Sequence, residues 1–118
     1  MPEIERYPGP ATGRTKTSAY GDLVYTVWVS PDPDADITEQ TRRTLDAIQD
    51  NLVEAGSDKT RLLSVTVYIT DMANKPAMDV VWNEWIGGDT EHWPQRACVQ
   101  VGLAADTLVE VVAVGVRG

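Results

Sequence analysis

The sequence predicts an α+β domain in which a mixed six-stranded sheet carries two helices on one face. Three strand-like segments precede the first helical pattern, one strand separates the two helical patterns, and two more strands follow. A strand–helix–strand step favours a parallel, right-handed crossover, whereas hairpins at both ends add antiparallel pairs. Because 118 residues suffice for one hydrophobic core but not for two, we expect residues 1–118 to form a single domain.

Three strands are predicted before the first helix. Residues 4–7 form a short strand, and a polar loop that contains glycine follows it. Residues 17–20 and 23–29 then form a hairpin, because the Gly21-Asp22 pair between them suits a tight turn. A connection rich in proline and aspartate leads from this hairpin to the first helix.

The first helix is predicted from its two ends and from its apolar stripe. Asp36 can cap its start, and Glu39, three positions later, can reach back as in a capping box. Gly56 suits the C-terminal cap. Between these ends, one apolar stripe recurs at spacings of three and four residues, formed by Leu45, Ile48, Leu52 and Ala55.

The second half of the chain is predicted to add three strands and one helix. Residues 63–70 alternate between apolar and polar side chains, with an apolar face of Leu63, Val65, Val67 and Ile69. Pro76 lies in the first turn of the second helix, which ends at Gly87-Gly88 and has an apolar face of Met78, Val81, Trp82 and Trp85. Residues 96–101 and 107–116 form the last two strands.

Two helices on one face leave the other face of the sheet uncovered. Valines, Tyr25 and Trp28 nevertheless occur on both sides of the predicted strands. Since an exposed apolar face of that size usually marks an interface, we expect partner subunits to cover it.

The composition excludes several classes of partner. Asp and Glu total 18 against 10 Lys and Arg, so the net charge of -8 repels phosphate backbones and acidic membrane surfaces. No segment approaches the roughly 18 apolar residues of a membrane span, and the first residues lack the apolar core of a signal peptide. We therefore expect a cytoplasmic protein that binds neither nucleic acid nor membranes.

The residue inventory also limits the chemistry. Cys98 and His92 are the only cysteine and histidine, so the chain cannot form an internal disulfide or a His/Cys metal site. A site made only of carboxylates stays open as an alternative, but the aspartates cluster in turns and at helix starts. We expect no metal and no cofactor, which leaves arginine, glutamate, backbone groups and water to do the chemistry.

Two charged residues interrupt the last two apolar strands. Arg96 opens the segment Arg96-Ala97-Cys98-Val99, and Glu110 lies among valines that a strand period places on its own face. Burying an unpaired charge costs several kcal/mol, so a charged residue in an apolar strand usually has a functional or structural role. If these strands form a hairpin with a five-residue connection, Arg96, Cys98 and Glu110 cluster on one face of the sheet.

Structural explanations of the same residues stay open. Arg96 can be a solvated strand-end residue or the partner of Glu110 in a structural ion pair. Cys98 has the pattern of a small buried hydrophobe, with no base nearby to activate its thiol. Trp82 and Trp85 follow the apolar helix stripe and suit a core position better than a ligand platform.

The chain resembles the RidA/YjgF family of small homotrimeric proteins, most of all its YoaB-like branch. The likeness runs from about Gly21 to Val116 and is carried by a few segments. These are Leu52-Val53-Glu54-Ala55-Gly56-Ser57, Ser64 to Met72, Met78-Asp79-Val80-Val81-Trp82 with Trp85, Pro94 to Val101, and Val109-Glu110-Val111. The resemblance implies a chorismate-mutase-like (YjgF) fold and a homotrimer with sites between subunits.

The resemblance also implies an activity. Family members with this arginine hydrolyse reactive enamines and imines, such as 2-aminoacrylate and 2-iminobutanoate, to 2-keto acids and ammonia. Carried over, Arg96 would hold the substrate carboxylate through two hydrogen bonds, and Glu110 would position or deprotonate the attacking water. The backbone at Cys98 would hydrogen-bond the imine nitrogen or the water.

Some positions depart from the family pattern and bear on the choice of substrate. Arg14 stands where relatives carry a ligand-contacting tyrosine, Val27-Trp28 replaces a Ser-Gly pair near the cleft, and Asp79 replaces an asparagine. Arg14 and Trp28 are therefore added to the predicted substrate-binding residues.

Two other functions remain as alternatives. A trimer that binds or senses 2-keto acids without catalysis is the first. An endoribonuclease is the second, and the net charge of -8 disfavours it.

Overall fold

A computed structural model describes residues 3–118 and has six strands and two α-helices within them. The strands are β1 (Glu5–Pro8), β2 (Thr15–Tyr20), β3 (Leu23–Val29), β4 (Leu62–Ile69), β5 (Gln95–Gln100) and β6 (Val109–Val116), and the helices are α1 (Ile37–Glu54) and α2 (Lys75–Ile86). The predicted order of elements is confirmed. Met1 and Pro2, the start of the predicted domain, lie outside the described residues.

The strands form one mixed sheet in the order β1-β2-β3-β6-β4-β5. β4 and β5 are parallel, as the predicted crossover through α2 requires, and every other neighbouring pair is antiparallel. The prediction that the last two strands form a hairpin is wrong, because β4 lies between β5 and β6. β6 instead gains antiparallel hydrogen bonds on both of its sides, to β3 and to β4.

α1 begins and ends close to the predicted signals. The Asp36 side chain accepts a hydrogen bond of 2.9 Å from the backbone N–H of Glu39. The reciprocal half of the predicted capping box is absent among the described side-chain bonds, because Glu39 pairs with Arg42 and Arg43 instead. Gly56 follows the helix with φ of 89°, a conformation that side chains with a Cβ rarely adopt.

Both helices pack on the same face of the sheet, where the hydrophobic core lies. The core includes the α1 stripe, Met78, Val81 and Trp82 of α2, and alternate residues of β4 and β6. One predicted core residue is wrong: Leu63 is 50% exposed and Leu62 is buried. A register irregularity between Leu62 and Ser64 shifts the alternation at the start of β4 and turns Leu62 inward.

Within residues 3–118, the opposite face of the sheet bears no helix and remains open. Tyr25 and Val27 of β3, Val112 and Val114 of β6, and Thr66 of β4 share this face by register. Tyr25 is 49% exposed, as expected for a surface that no other described element covers. None of the helices within residues 3–118 is long and apolar enough to cross a membrane.

Candidate functional site

Glu110 lies on the open face of the sheet, at the wall of a cleft. It pairs in register with Val29 of β3 and Tyr68 of β4, and its side chain is half-buried. The cleft encloses about 350 Å³ between the loop 9–11, the start of β2 and the end of β3. Among the described residues, Glu110 forms no salt bridge and no side-chain hydrogen bond, so its carboxylate is available to a ligand or to water.

Two cationic residues, Arg14 and Lys16, line the same cleft as Glu110. Trp28 also borders the cleft, but its register with β6 turns its indole toward the core, on the face opposite Glu110. Lys16 Nζ lies 3.5 Å from Glu54 Oε1 of α1, so part of its charge is already matched. Arg14 donates only a long bond of 3.4 Å to the backbone oxygen of Thr12 and makes no ion pair within the described part of the chain. The structure therefore brings two predicted site residues together, Arg14 and Glu110, whereas the side chain of the third, Trp28, lies on the other face of the sheet.

Arg96 lies on the other side of the sheet. It is in register with Val65, whose own partner on β6 is the fully buried Ala113, so its side chain leaves the sheet toward the helices. Arg96 Nη2 donates to Asp79 Oδ1 of α2 at 2.7 Å, and its guanidinium lies 5.1 Å from the centre of the Trp82 ring. The ion-pair partner of Arg96 in this chain is thus Asp79 and not Glu110.

The Arg96 charge belongs to a three-residue cluster on α2 and β5. Asp79 Oδ2 accepts a second bond of 2.7 Å from Lys75 Nζ, one helical turn earlier. Burial raises the pKa of Asp79, but the hydrogen bonds from Lys75 and Arg96 outweigh it and hold that pKa below its usual range. Asp79 is therefore ionised at neutral pH, and the stability that its two bonds add is lost only as the pH falls through this lowered pKa.

Cys98 follows Arg96 on the same face of β5 and is half-buried with a free thiol. β5 is an edge strand with β4 on one side only. The N–H of Val101 bonds to Ile69 of β4, and strand N–H groups alternate in direction, so the N–H of Cys98 points toward the open edge. This backbone donor is free to meet a ligand that approaches Arg96 along the edge.

The predicted clustering of Arg96, Cys98 and Glu110 on one face of one chain is wrong. Arg96 and Cys98 face the helices, whereas Glu110 faces away from them. The cause is the insertion of β4 between the two strands, which replaces the assumed hairpin register with two separate registers. One chain therefore carries two half-sites on opposite faces of its sheet.

Sequence reasoning missed one contact of the site. Asp79 was noted as a departure from a family pattern but not as the partner of Arg96, although the Lys75-Asp79 spacing of four residues on a helix is a signal for a local ion pair. Within residues 3–118, no three His, Cys, Asp or Glu side chains lie close enough to hold a metal ion.

Comparison with known sequences identifies the family. The sequence model described as endoribonuclease L-PSP matches residues 21–117, most of the chain. YoaB of Escherichia coli K12, a RutC family protein, is 34% identical over 84 residues, which cover 71% of this chain and 72% of YoaB. The chain belongs to the RidA/YjgF family. The predicted resemblance is thereby confirmed.

Solved structures agree with this assignment. NMB1025 of Neisseria meningitidis, described as a member of the YjgF protein family, superposes with a TM-score of 0.88 at 28% identity, over 98% of this chain and 96% of the other. Escherichia coli TdcF, solved with bound serine, superposes with a TM-score of 0.82 at 29% identity, over 98% of each chain. The name given to TdcF proposes a reactive intermediate deaminase. This chain thus has the YjgF fold, and its relative TdcF binds a small molecule.

Proposed function

We propose that this protein hydrolyses reactive enamines and imines of the 2-aminoacrylate, 2-iminobutanoate or 2-iminopropanoate type to 2-keto acids and ammonia. The observation that carries the proposal is the environment of Glu110, a half-buried carboxylate that lies at the wall of a cleft and forms no ion pair with any residue from 3 to 118. Family membership and the name of TdcF support the reaction class.

The reaction needs little beyond orientation and proton transfer. Arg96 holds the substrate carboxylate through two of its N–H groups, and the outward N–H of Cys98 donates a hydrogen bond to the imine nitrogen or to the water. Glu110 takes a proton from a water molecule while the oxygen of that water bonds to the C=N carbon. The proton passes to nitrogen and gives a carbinolamine. The new hydroxyl group then gives its proton to the nitrogen through Glu110 as the C–N bond breaks, so that ammonia leaves and the 2-keto acid remains. A positioned acid–base group supplies about 10²- to 10⁴-fold in such steps.

Because Arg96 and Glu110 lie on opposite faces, this reaction requires two chains. We place the site between subunits of a homotrimer, where the Arg96 edge of β5 in one subunit meets the Glu110 cleft of the next. The exposed side chains of the open face, Tyr25 among them, support an interface there. This one contact between subunits then joins the half-site of Arg96 to the half-site of Glu110.

The homotrimer is testable by its mass. Light scattering at micromolar concentration should give the mass of three chains of 12.9 kDa each. Dilution should reduce activity and thermal stability together, since a site between subunits exists only in the assembled state. A stable monomer with full activity would contradict the placement of the site.

The activity itself is testable with an amino-acid oxidase that generates imines in situ from a panel of amino acids. Faster disappearance of the imine, detected as faster release of ammonia and keto acid, supports the deaminase. If the protein binds keto acids without accelerating imine loss, the metabolite-binding alternative is favoured instead. The ribonuclease suggested by the description of the family is disfavoured by the net charge of -8, and salt-dependent RNA binding would revive it.

Arg14 is expected to shift the choice of substrate. Its guanidinium lines the Glu110 cleft without an ion pair among the described residues, and the alternative that it pairs with Asp22 is not observed. A cation at this position should favour imines that carry a second acidic or polar group. Arg14→Tyr should therefore lower the rate for the imine of glutamate relative to those of alanine and leucine, by roughly fivefold to tenfold for one partly exposed charge pair.

Relative rates from a common oxidase assay measure this effect. Arg42→Tyr is the matched control, because Arg42 is an exposed residue of α1 that does not line the cleft. Identical substrate ratios in wild type and Arg14→Tyr would mean that Arg14 takes no part in selection.

A further inference from the structure

The carboxylate of Asp79 has no role in the proposed reaction, yet it forms an ion pair with Arg96, the residue on which that reaction depends. Asp79 Oδ1 is 2.7 Å from Arg96 Nη2, and Asp79 Oδ2 is 2.7 Å from Lys75 Nζ. Two cations and one anion leave the cluster with a net charge of +1. An anchor made of Arg96 and Lys75 alone would carry +2.

The Asp79 contact leaves part of the hydrogen-bonding fork of Arg96 free. A guanidinium has five N–H donors; Asp79 accepts from Nη2, and the sulfur of Met78 accepts a weak bond of 3.8 Å from Nη1. Arg96 also lies against the Trp82 ring, which fixes the plane of the guanidinium. A ligand carboxylate can therefore still bind through two N–H groups while Asp79 stays in place.

We propose that Asp79 is a specificity-determining residue that makes the Arg96 anchor select a single carboxylate over more highly charged anions such as phosphate. The inference rests on the proposed function, in which Arg96 binds the substrate carboxylate. A ligand carboxylate that shares the Arg96 guanidinium with Asp79 would lie close enough to the Asp79 carboxylate for the like charges to repel at this partly exposed site. The repulsion grows with ligand charge, so a dianion loses more affinity than a monoanion.

Asp79→Asn isolates this charge effect from any role in orientation. The amide oxygen of asparagine can still accept the hydrogen bond from Arg96, while the negative charge is gone. If Asp79 served only to orient Arg96, the substitution would leave anion selectivity unchanged. Glu84→Gln is the matched control, because it removes one carboxylate charge from an exposed position of the same helix.

The experiment measures the dissociation constants of 2-oxobutanoate and inorganic phosphate by calorimetry with the assembled protein. In Asp79→Asn, 2-oxobutanoate should bind roughly tenfold more tightly and phosphate more tightly still, so that the ratio of the two constants shifts about tenfold toward phosphate. Glu84→Gln should leave that ratio within about twofold. An unchanged ratio, or a shift away from phosphate, overturns the inference.

Two further variants keep the test decisive. Lys75→Gln removes one of the two cations beside Asp79, so it should shift the ratio of the two dissociation constants away from phosphate. This variant provides the test if Asp79→Asn fails to fold. Arg96→Ala separates the inference from the proposed function. If Arg96→Ala leaves 2-oxobutanoate binding intact, the anchor role of Arg96 itself is wrong. If Arg96→Ala abolishes binding but neither Asp79→Asn nor Lys75→Gln changes the ratio, only the role of Asp79 is wrong.

Discussion

Arg96→Lys is expected to lower kcat/KM for imine hydrolysis by roughly 100-fold although the positive charge is kept. A lysine ammonium is a compact charge on a flexible stem and cannot reproduce two parallel hydrogen bonds to a carboxylate. It also gives up the planar contact with the Trp82 ring that holds Arg96 in place. Losing one charge-assisted bond costs about 1.5–3 kcal/mol, which corresponds to a rate loss of this order.

Steady-state kinetics with an oxidase-generated imine checks the expectation. Arg42→Lys, the same substitution on the exposed surface of α1, should leave the rate unchanged. The ion pair with Asp79 can re-form from lysine, so the melting temperature of Arg96→Lys should fall little. Full activity in Arg96→Lys would remove Arg96 from the proposed binding site.

Glu110→Gln is expected to lower kcat by roughly 100-fold or more while 2-oxobutanoate binding stays within a few-fold of wild type. The amide has nearly the same shape as the carboxylate, so the cleft keeps its form, but it cannot accept a proton from water. Because Glu110 makes no salt bridge in the described structure, its neutralisation leaves no partner charge unpaired in the single chain.

The separation of kcat from binding is the informative readout for Glu110. Single-turnover kinetics gives the chemical step, and calorimetry gives the affinity for the keto acid. Glu84→Gln again supplies the control for a lost surface carboxylate. If Glu110→Gln turned over imines at the wild-type rate, the base would have to be sought elsewhere, and a binding or sensing role for the cleft would gain support.

Local chemistry made much of the fold predictable. The Asp36 cap, the α1 stripe and the Gly21-Asp22 hairpin each depend on neighbours within a few residues, and the structure agrees with all three. The crossover through α2 was predictable because a strand–helix–strand step has one favoured hand. The uncovered face followed from the same layout, since two helices cover only one side of a six-stranded sheet.

The candidate site was predictable as a set of residues but not as an arrangement. Sequence alternation tells on which face of its own strand a residue lies, and it correctly separated Glu110 from its buried neighbours Val109 and Val111. It does not tell which strand lies next to which. The assumed hairpin therefore placed Arg96 beside Glu110, whereas β4 separates their strands and the two side chains leave the sheet in opposite directions.

The sequence by itself determined the type and order of the elements, the approximate ends of α1, the family and the residues that carry charge into apolar strands. Only the tertiary structure decided the position of β4, the inward turn of Leu62 and the pairing of Arg96 with Asp79 across 17 positions of sequence. The physical reason is the range of the interactions involved. Caps, turns and periodicity are set by bonds between near neighbours, whereas strand order and ion pairs between elements are settled by packing of the whole core, where each contact depends on all the others.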